Sequence, residues 1–118
     1  MNDRAKELGC TNTVFTNPTG LPDDNQHTTA HDLALIMQAA IRNDSFRTIS
    51  GATSYTIPAT NVSGGTRNLT SSFTMTDPAS ASYYEGCIGG KEGYTEASGS
   101  TLLPEAFLSQ LHSEMVLL

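Results

Sequence analysis

The strongest constraint on the fold lies in residues 29–42, where apolar side chains recur with the period of an α-helix. Thr29 is suited to the N-cap position, and Asp32 three residues later completes the pattern of a capping box. The apolar positions fall at i, i+3, i+4, i+7 and i+8 and are Leu33, Ile36, Met37, Ala40 and Ile41. Such a helix has to bury one face, so a second layer of structure must pack against it.

The rest of the chain has little apolar material to spare for that layer. Hydrophobic residues make up 37% of the 118 residues, tryptophan is absent, and the mean hydropathy is -0.25. A chain of this size and composition forms one small domain or a part of a larger one.

Shorter patterns complete a mixed set of helices and strands. Residues 2–9 have the pattern of the last turns of a helix that Gly9 ends, and residues 46–49 predict one further helical turn. Ser54–Ile57 alternates polar and apolar side chains like a strand. The predicted loops and turns cover 17–25, 61–65 and 76–83, whereas 66–75 are weakly patterned. The mixture predicts an α/β fold, more narrowly α+β.

Charge and hydropathy exclude two classes of partner. Twelve acidic and six basic side chains give a net charge of -6, and the basic ones are too scattered to neutralise a row of phosphates, so we expect no nucleic acid. No apolar run approaches the roughly 20 residues that cross a bilayer. The start of the chain lacks the pattern of a signal peptide, so no export signal is expected.

The two cysteines allow two interpretations. Cys10 and Cys87 would pair in an oxidising compartment, but each stands where an apolar residue would fit. We favour two buried free thiols.

The run Gly89–Thr95 carries the clearest functional signal. A lysine in a strand is ordinarily a solvated residue, and glycines such as Gly89, Gly90 and Gly93 are ordinarily turn residues. Around a docking strand, however, glycines also let another backbone approach closely.

Several segments together resemble the D-alanyl-D-alanine carboxypeptidases, the low-molecular-weight penicillin-binding proteins of the serine β-lactamase-like superfamily. The resemblance covers roughly residues 2–103 and rests on the order AKELG, NPTGL, TTAHDLALI, Y.IP and GCIGGKEGYTEASGSTL. It implies the C-terminal part of a transpeptidase-like catalytic domain, with helices packed on an incomplete antiparallel sheet.

The family's chemistry implies three motifs, and two of them are missing. Acyl transfer from a D-Ala-D-Ala peptide needs a serine nucleophile, a lysine that takes its proton, a second polar group and a cationic docking strand, supplied as Ser-x-x-Lys, Ser-x-Asn and Lys-Thr-Gly. The residues three positions before Lys6 and Lys91 are Asp3 and Ile88, and no serine stands two positions before an asparagine. We therefore expect an N-terminally truncated chain with no catalytic residue of its own.

The third motif is present in altered form. The resemblance assigns substrate binding to Lys91, Glu92 and Gly93, with Glu92 where the family has threonine. An ionised glutamate would repel the substrate's carboxylate by roughly 1 to 4 kcal/mol, depending on the effective dielectric. Either Glu92 is protonated and donates as an acid, or carboxylate recognition is weakened, and we favour the second. Which face of the strand Glu92 takes stays open.

Other candidate site residues have structural explanations. His27 and His31 are spaced i, i+4, but the sequence lacks the glutamate of a His-Glu-x-x-His zinc site, so we expect surface or capping roles and no metal. An acid/base pair for sugar hydrolysis could be drawn from Asp23, Asp24 and Asp32, but turn and capping roles already account for each of them. We expect no cofactor.

The last residues depart from the family. Leu103, Phe107, Leu111 and Met115 recur at i+4 with Pro104 in a first turn, which predicts a helix over 104–116. We therefore divide the chain into a partial catalytic domain, 1–103, and an atypical helical tail, 104–118. Irregularity at both ends favours a gene fragment.

The resulting functional hypothesis is part of a serine carboxypeptidase that acts on peptidoglycan stem peptides and is inactive alone. The alternative is a non-catalytic peptidoglycan-binding or interaction module. The resemblance implies an extracytoplasmic place in the cell envelope, a complementary N-terminal fragment as partner, and β-lactam binding only if the missing half is supplied.

Overall fold

The computed structural model describes residues 1–106, which form an α+β arrangement and confirm the predicted fold class. The described helices are α1 (Asn2–Glu7), α2 (Ala30–Ala40) and α3 (Asp44–Ser50), with a 3-10 turn at Thr74–Thr76. The described strands are β1 (Ser54–Ile57), β2 (Arg67–Thr70), β3 (Cys87–Thr95) and β4 (Gly99–Ala106). The strands form two antiparallel pairs, β1 with β2 and β3 with β4.

Helix α1 ends in the way that Gly9 predicts. Gly9 has φ of +89°, in the left-handed region that glycine adopts without strain. Its N–H donates to the carbonyl of Lys6, and the N–H of Cys10 donates to the carbonyl of Ala5, both at 3.0 Å. These two bonds are the Schellman motif, which satisfies carbonyls at the helix end and turns the chain sharply away.

Helix α2 begins at its predicted cap but does not form the complete capping box. The hydroxyl of Thr29 accepts a hydrogen bond from the N–H of Asp32 at 3.1 Å. The carboxylate of Asp32 accepts instead from the N–H of Asn12 at 2.8 Å and from the hydroxyl of Thr13 at 2.7 Å. Asp32 is only 1% exposed, so its carboxylate fastens the loop after α1 to the start of α2.

The apolar face of α2 is covered unevenly. Met37 and Ile41 are buried, at 2% and 7% exposure. Leu33, Ile36 and Ala40 on the same face are half-buried. The helix contacts β4, and this contact supplies part of the second layer that the periodicity requires.

The first hairpin joins β1 to β2 with Tyr55 opposite Leu69. The strand at Ser54–Ile57 and the turn at 61–65 are as predicted. Strand β2 lies in the weakly patterned stretch 66–75, where the sequence predicts no strand. All four residues of β2 are exposed, so no alternation of buried and exposed positions marks the strand.

The second hairpin pairs β3 with β4 over most of their length. Lys91 lies opposite Leu103, and Glu92 lies opposite Leu102. At the turn, Gly99 has φ of +67°, and the N–H of Ser98 donates to the hydroxyl of Thr95 at 3.0 Å.

The structure corrects the start of the predicted tail helix. Pro104 lies in β4 opposite Gly90, and the strand continues to Ala106. Pro104, Glu105 and Ala106 are all buried, so the two-residue alternation that identifies a strand is absent there. The rest of the predicted helix, 107–116, lies outside the described residues, and the division of the chain after residue 103 stays a prediction.

Strand β3 contacts both α3 and the 3-10 turn. The buried apolar residues among 1–106 are Ala5, Cys10, Met37, Ile41, Phe73, Cys87 and Ala106. In this part of the chain, none of the helices has the length and hydrophobicity that a membrane span requires.

We expect protonation of Asp32 at acid pH to lower the stability of the fold. The hydroxyl of Thr13, with the backbone N–H groups of Asn12 and Thr11, holds the pKa of Asp32 below its ordinary value of 3.8, against the opposing effect of burial. The charged carboxylate therefore contributes stability above about pH 4, and this contribution is lost as the pH falls through the lower pKa of the folded state. Thermal unfolding of Asp32→Asn should show a midpoint several degrees lower at pH 7 and a weaker dependence on pH below about pH 4.

Asp24→Asn is the matched control, because Asp24 is an exposed loop carboxylate. It should melt like the parent at every pH. If Asp32→Asn kept both the midpoint and the acid transition of the parent, the role of Asp32 described above would be wrong.

Candidate functional site

The three residues predicted to bind substrate lie in the middle of β3. Lys91 is exposed, Glu92 is half-buried and Gly93 is exposed. Because neighbouring side chains in a strand point to opposite faces, Lys91 and Glu92 lie on opposite faces of the hairpin.

A surface cavity of about 600 Å³ lies on this hairpin and brings the three residues together. From β4, the side of the cavity is formed by residues that the sequence analysis did not single out. The cavity is lined by Lys91, Glu92, Gly93, Tyr94, Ser100, Thr101 and Leu102. Ser100, Thr101 and Leu102 could have been found only by predicting the register of β3 against β4. The short turn around Gly99 was the signal available for that prediction.

The ammonium group of Lys91 is held by its own strand. Its Nζ donates a hydrogen bond to the backbone carbonyl of Glu92. Within residues 1–106, no carboxylate forms a salt bridge with Lys91. The positive charge therefore stays available to an anionic group that enters the cavity.

The outer edge of β3 has no strand partner in the described part of the chain. In the described part of the chain β3 pairs with β4 on one side only, so its other edge presents backbone N–H and C=O groups without a strand partner. An edge of this kind can receive an extended peptide as an additional strand. Gly93 carries no side chain that would hinder such a peptide.

The glycines before Lys91 serve close packing within the protein. A Cβ atom at Gly89 would lie 3.0 Å from the carbonyl carbon of Ser50 and 3.1 Å from the nitrogen of Gly51. A Cβ atom at Gly51 would lie 2.7 Å from the carbonyl oxygen of Ile88. The end of α3 and the start of β3 thus touch backbone to backbone, which only glycine permits.

The cysteines are buried free thiols, as predicted. Burial raises the pKa of Cys10, and the nearby charge of Asp32 raises it further. Burial likewise raises the pKa of Cys87. Both thiols are protonated at neutral pH and are unsuited to act as nucleophiles.

His27 and Asp23 have local structural roles, and His31 lies on the surface. Nδ1 of His27 lies 3.0 Å from the carbonyl of Asn25, and His31 is an exposed residue. The carboxylate of Asp23 accepts from the N–H of Asn25 at 2.8 Å, which is the predicted turn role. Across residues 1–106 no three histidine, cysteine or acidic side chains converge as a metal site would require.

Solved structures identify the class of fold. A D-alanyl-D-alanine carboxypeptidase from Mycobacterium tuberculosis matches with a TM-score of 0.73 at 34% identity, over 92% of this chain and 39% of that chain. The Streptomyces K15 DD-transpeptidase matches with a TM-score of 0.75 at 27% identity, over 92% of this chain and 40% of that chain. The fold is therefore that of the penicillin-binding DD-peptidases, over about two fifths of their chains.

The chain belongs to the D-alanyl-D-alanine carboxypeptidase family, whose sequence pattern matches residues 1–118. The carboxypeptidase DacB2 of Mycobacterium tuberculosis is 36% identical over 108 residues, which is 90% of this chain and 34% of the relative. DacF of Bacillus subtilis is 39% identical over 51 residues, which is 43% of this chain and 13% of the relative. The chain thus spans about a third of the length of the first of these relatives.

We expect the contact at Gly89 to be essential for the stability of the hairpin. In Gly89→Ala the new methyl group meets the backbone of Ser50 and Gly51, which cannot rotate away, so overpacking should cost about 1–3 kcal/mol. Gly64→Ala is the control, because a Cβ atom there meets nothing within 4 Å. Urea unfolding of both variants checks this, and equal midpoints would contradict the packing described above.

Proposed function

We propose that this chain provides the docking strand for the terminal carboxylate in a serine D-Ala-D-Ala carboxypeptidase that acts on peptidoglycan stem peptides. One observation carries the proposal. Lys91, with no salt-bridge partner among the described residues, lies beside a cavity on a strand whose edge is open, in a chain of this family.

The proposed docking combines charge and backbone pairing. The terminal carboxylate of the peptide binds the ammonium group of Lys91, and the peptide backbone pairs with the edge of β3. Gly93 leaves room for the peptide next to this edge. The alternative function, a non-catalytic binding module, has no separate observation in its favour.

Chemistry at the docked peptide requires residues that these 118 do not contain. In the proposed reaction a serine hydroxyl attacks the carbonyl of the penultimate D-Ala, the terminal D-Ala leaves, and water releases the acyl group. Neither Ser-x-x-Lys nor Ser-x-Asn occurs in the sequence. We therefore expect no activity from the 118-residue chain alone, and we propose a complementary N-terminal segment as its catalytic partner.

The substrate also fixes the proposed location. Peptidoglycan stem peptides belong to the cell envelope, so the site of action would be extracytoplasmic. β-Lactams would bind covalently only where the serine is supplied.

Glu92 is the residue that distinguishes this docking strand from the family pattern. It lines the same cavity as Lys91, although the two side chains lie on opposite faces. A carboxylate at that position lowers the positive potential that a terminal carboxylate meets. We propose that Glu92 weakens recognition of the terminal carboxylate.

Incubation with a fluorescent penicillin, followed by denaturing electrophoresis, tests the absence of a nucleophile. The chain alone should show no covalent label. Mixed with an N-terminal segment that carries Ser-x-x-Lys, the same penicillin should label that segment. A label on the 118-residue chain alone would show that one of its own serines attacks β-lactams, and the motif argument would be wrong.

Substitution of Glu92 tests carboxylate recognition. Glu92→Thr restores a hydroxyl donor, and Glu92→Gln removes the charge while keeping the shape, so both should bind an N-acyl-D-Ala-D-Ala peptide about tenfold more tightly, or ~1.4 kcal/mol. Calorimetric or NMR titration measures the affinity. The same peptide with a C-terminal amide is the control, because it carries no charge for Glu92 to repel.

Equal gains for the acid and the amide would mean that Glu92 acts through shape rather than charge. Lys91→Ala should weaken binding of the acid and leave binding of the amide nearly unchanged. If Lys91→Ala left the affinity for the acid unchanged, the proposed docking role would be wrong.

A further inference from the structure

We propose that Phe73 is a positioning residue for the docking strand. Its aromatic ring packs on Gly90 and fixes the backbone immediately before Lys91. The effect on ligand binding rests on the proposed function, whereas the effect on the strand itself does not.

The ring of Phe73 occupies the place that a side chain at position 90 would take. A Cβ atom at Gly90 would lie 2.4 Å from Cζ and 2.6 Å from Cε2 of Phe73, distances that real atoms do not adopt. Phe73 is 5% exposed, so the ring is enclosed at this position. Glycine at position 90 and phenylalanine at position 73 are therefore complementary in shape.

The opposite face of the strand is held at the preceding residue. Gly89 contacts the backbone of Ser50 and Gly51 at the end of α3. Because adjacent residues of a strand face opposite sides, β3 is gripped between α3 on one face and Phe73 on the other. Displacement of the strand in either direction is resisted by close-packed atoms. Lys91 directly follows Gly90 in the chain.

Phe73 is itself fixed by hydrogen bonds to its backbone N–H and to its backbone carbonyl. Its N–H donates to the hydroxyl of Ser71 at 3.2 Å, and its carbonyl accepts from the hydroxyl of Thr76 at 3.4 Å. The N–H of Ser71 in turn donates to the carbonyl of Thr53, just before β1, at 2.8 Å. The segment that carries the ring is thus also hydrogen-bonded to the start of the first hairpin.

This arrangement assigns a purpose to a residue outside the cavity. Because Lys91 and Glu92 of β3 line the cavity, the shape of the cavity depends on the position of this strand. With α3 alone against β3, the face that carries Glu92 would be unsupported at Gly90. Phe73 provides that support, and loss of its ring should loosen the strand locally rather than unfold the chain.

Hydrogen exchange measured by NMR on the 118-residue chain tests this role. In Phe73→Leu the protected amides of residues 90–93 should exchange about tenfold or more faster. The amides of Met37 in α2 and of Ile41 directly after it should stay near the parent rates. Tyr55→Leu is the matched control, because it truncates an aromatic residue that is 64% exposed on β1. A uniform increase in all protected amides, or no change at β3, would overturn the proposal.

Phe73→Met keeps the proposal testable if Phe73→Leu does not fold. Methionine retains most of the volume but lacks the rigid ring edge, so exchange at 90–93 should rise in the same direction by a smaller factor. Exchange at parent rates in Phe73→Met would show that volume rather than the ring holds the strand, and the proposal would fail.

A double substitution tests the shape complementarity directly. Gly90→Ala alone should weaken the fold, since the new methyl group meets the ring of Phe73. Gly90→Ala combined with Phe73→Leu should cost less than the two single changes added together, although contact with the carbonyl of Leu103 at 2.8 Å keeps the restoration partial. Strict additivity would mean that the ring and the glycine do not share this space.

Peptide titration separates this inference from the proposed function. If the parent binds an N-acyl-D-Ala-D-Ala peptide, Phe73→Leu should weaken that affinity about tenfold, and an unchanged affinity would overturn the positioning role. If the parent binds no such peptide, the proposed function fails, and the exchange pattern at 90–93 still decides the role of Phe73.

Discussion

The close approach of backbone to backbone at the start of β3 is the constraint on which the proposed docking surface depends. Gly89 and Gly51 bring the strand and the end of α3 into contact at distances that exclude any side chain. Because the strand is fixed at this point, the residues that follow in β3 keep a defined position relative to α3. The position of the Lys91 charge, which we propose binds the terminal carboxylate, depends on the backbone beneath it being held in this way.

The sequence predicted the elements whose signals are local. Thr29 caps α2 because its hydroxyl reaches an N–H three residues away, and Gly9 ends α1 because it adopts a left-handed conformation. Lys91 and its glycines form one continuous motif and lie together in β3, and their role in binding substrate stays a prediction. Such features depend on a few neighbouring residues and therefore appear in the sequence itself.

Features that depend on distant contacts could not be predicted in the same way. Asp32 has the spacing of a capping box, but the loop of Asn12 and Thr13 competes successfully for its carboxylate. Pro104 was assigned to a helix because an i+4 repeat surrounds it, whereas pairing with Gly90 keeps it in a strand. Phe73 carries no signal at all, because its partner is 17 residues away along the chain and has no side chain.

The buried thiols have a consequence for how the fold is made. Neither Cys10 nor Cys87 is paired, and each lies within the packed interior as a small apolar residue would. The described fold therefore needs no oxidative step, so its assembly is independent of the redox potential of the surroundings. A reducing agent that disrupts disulfide-dependent domains would leave this one intact.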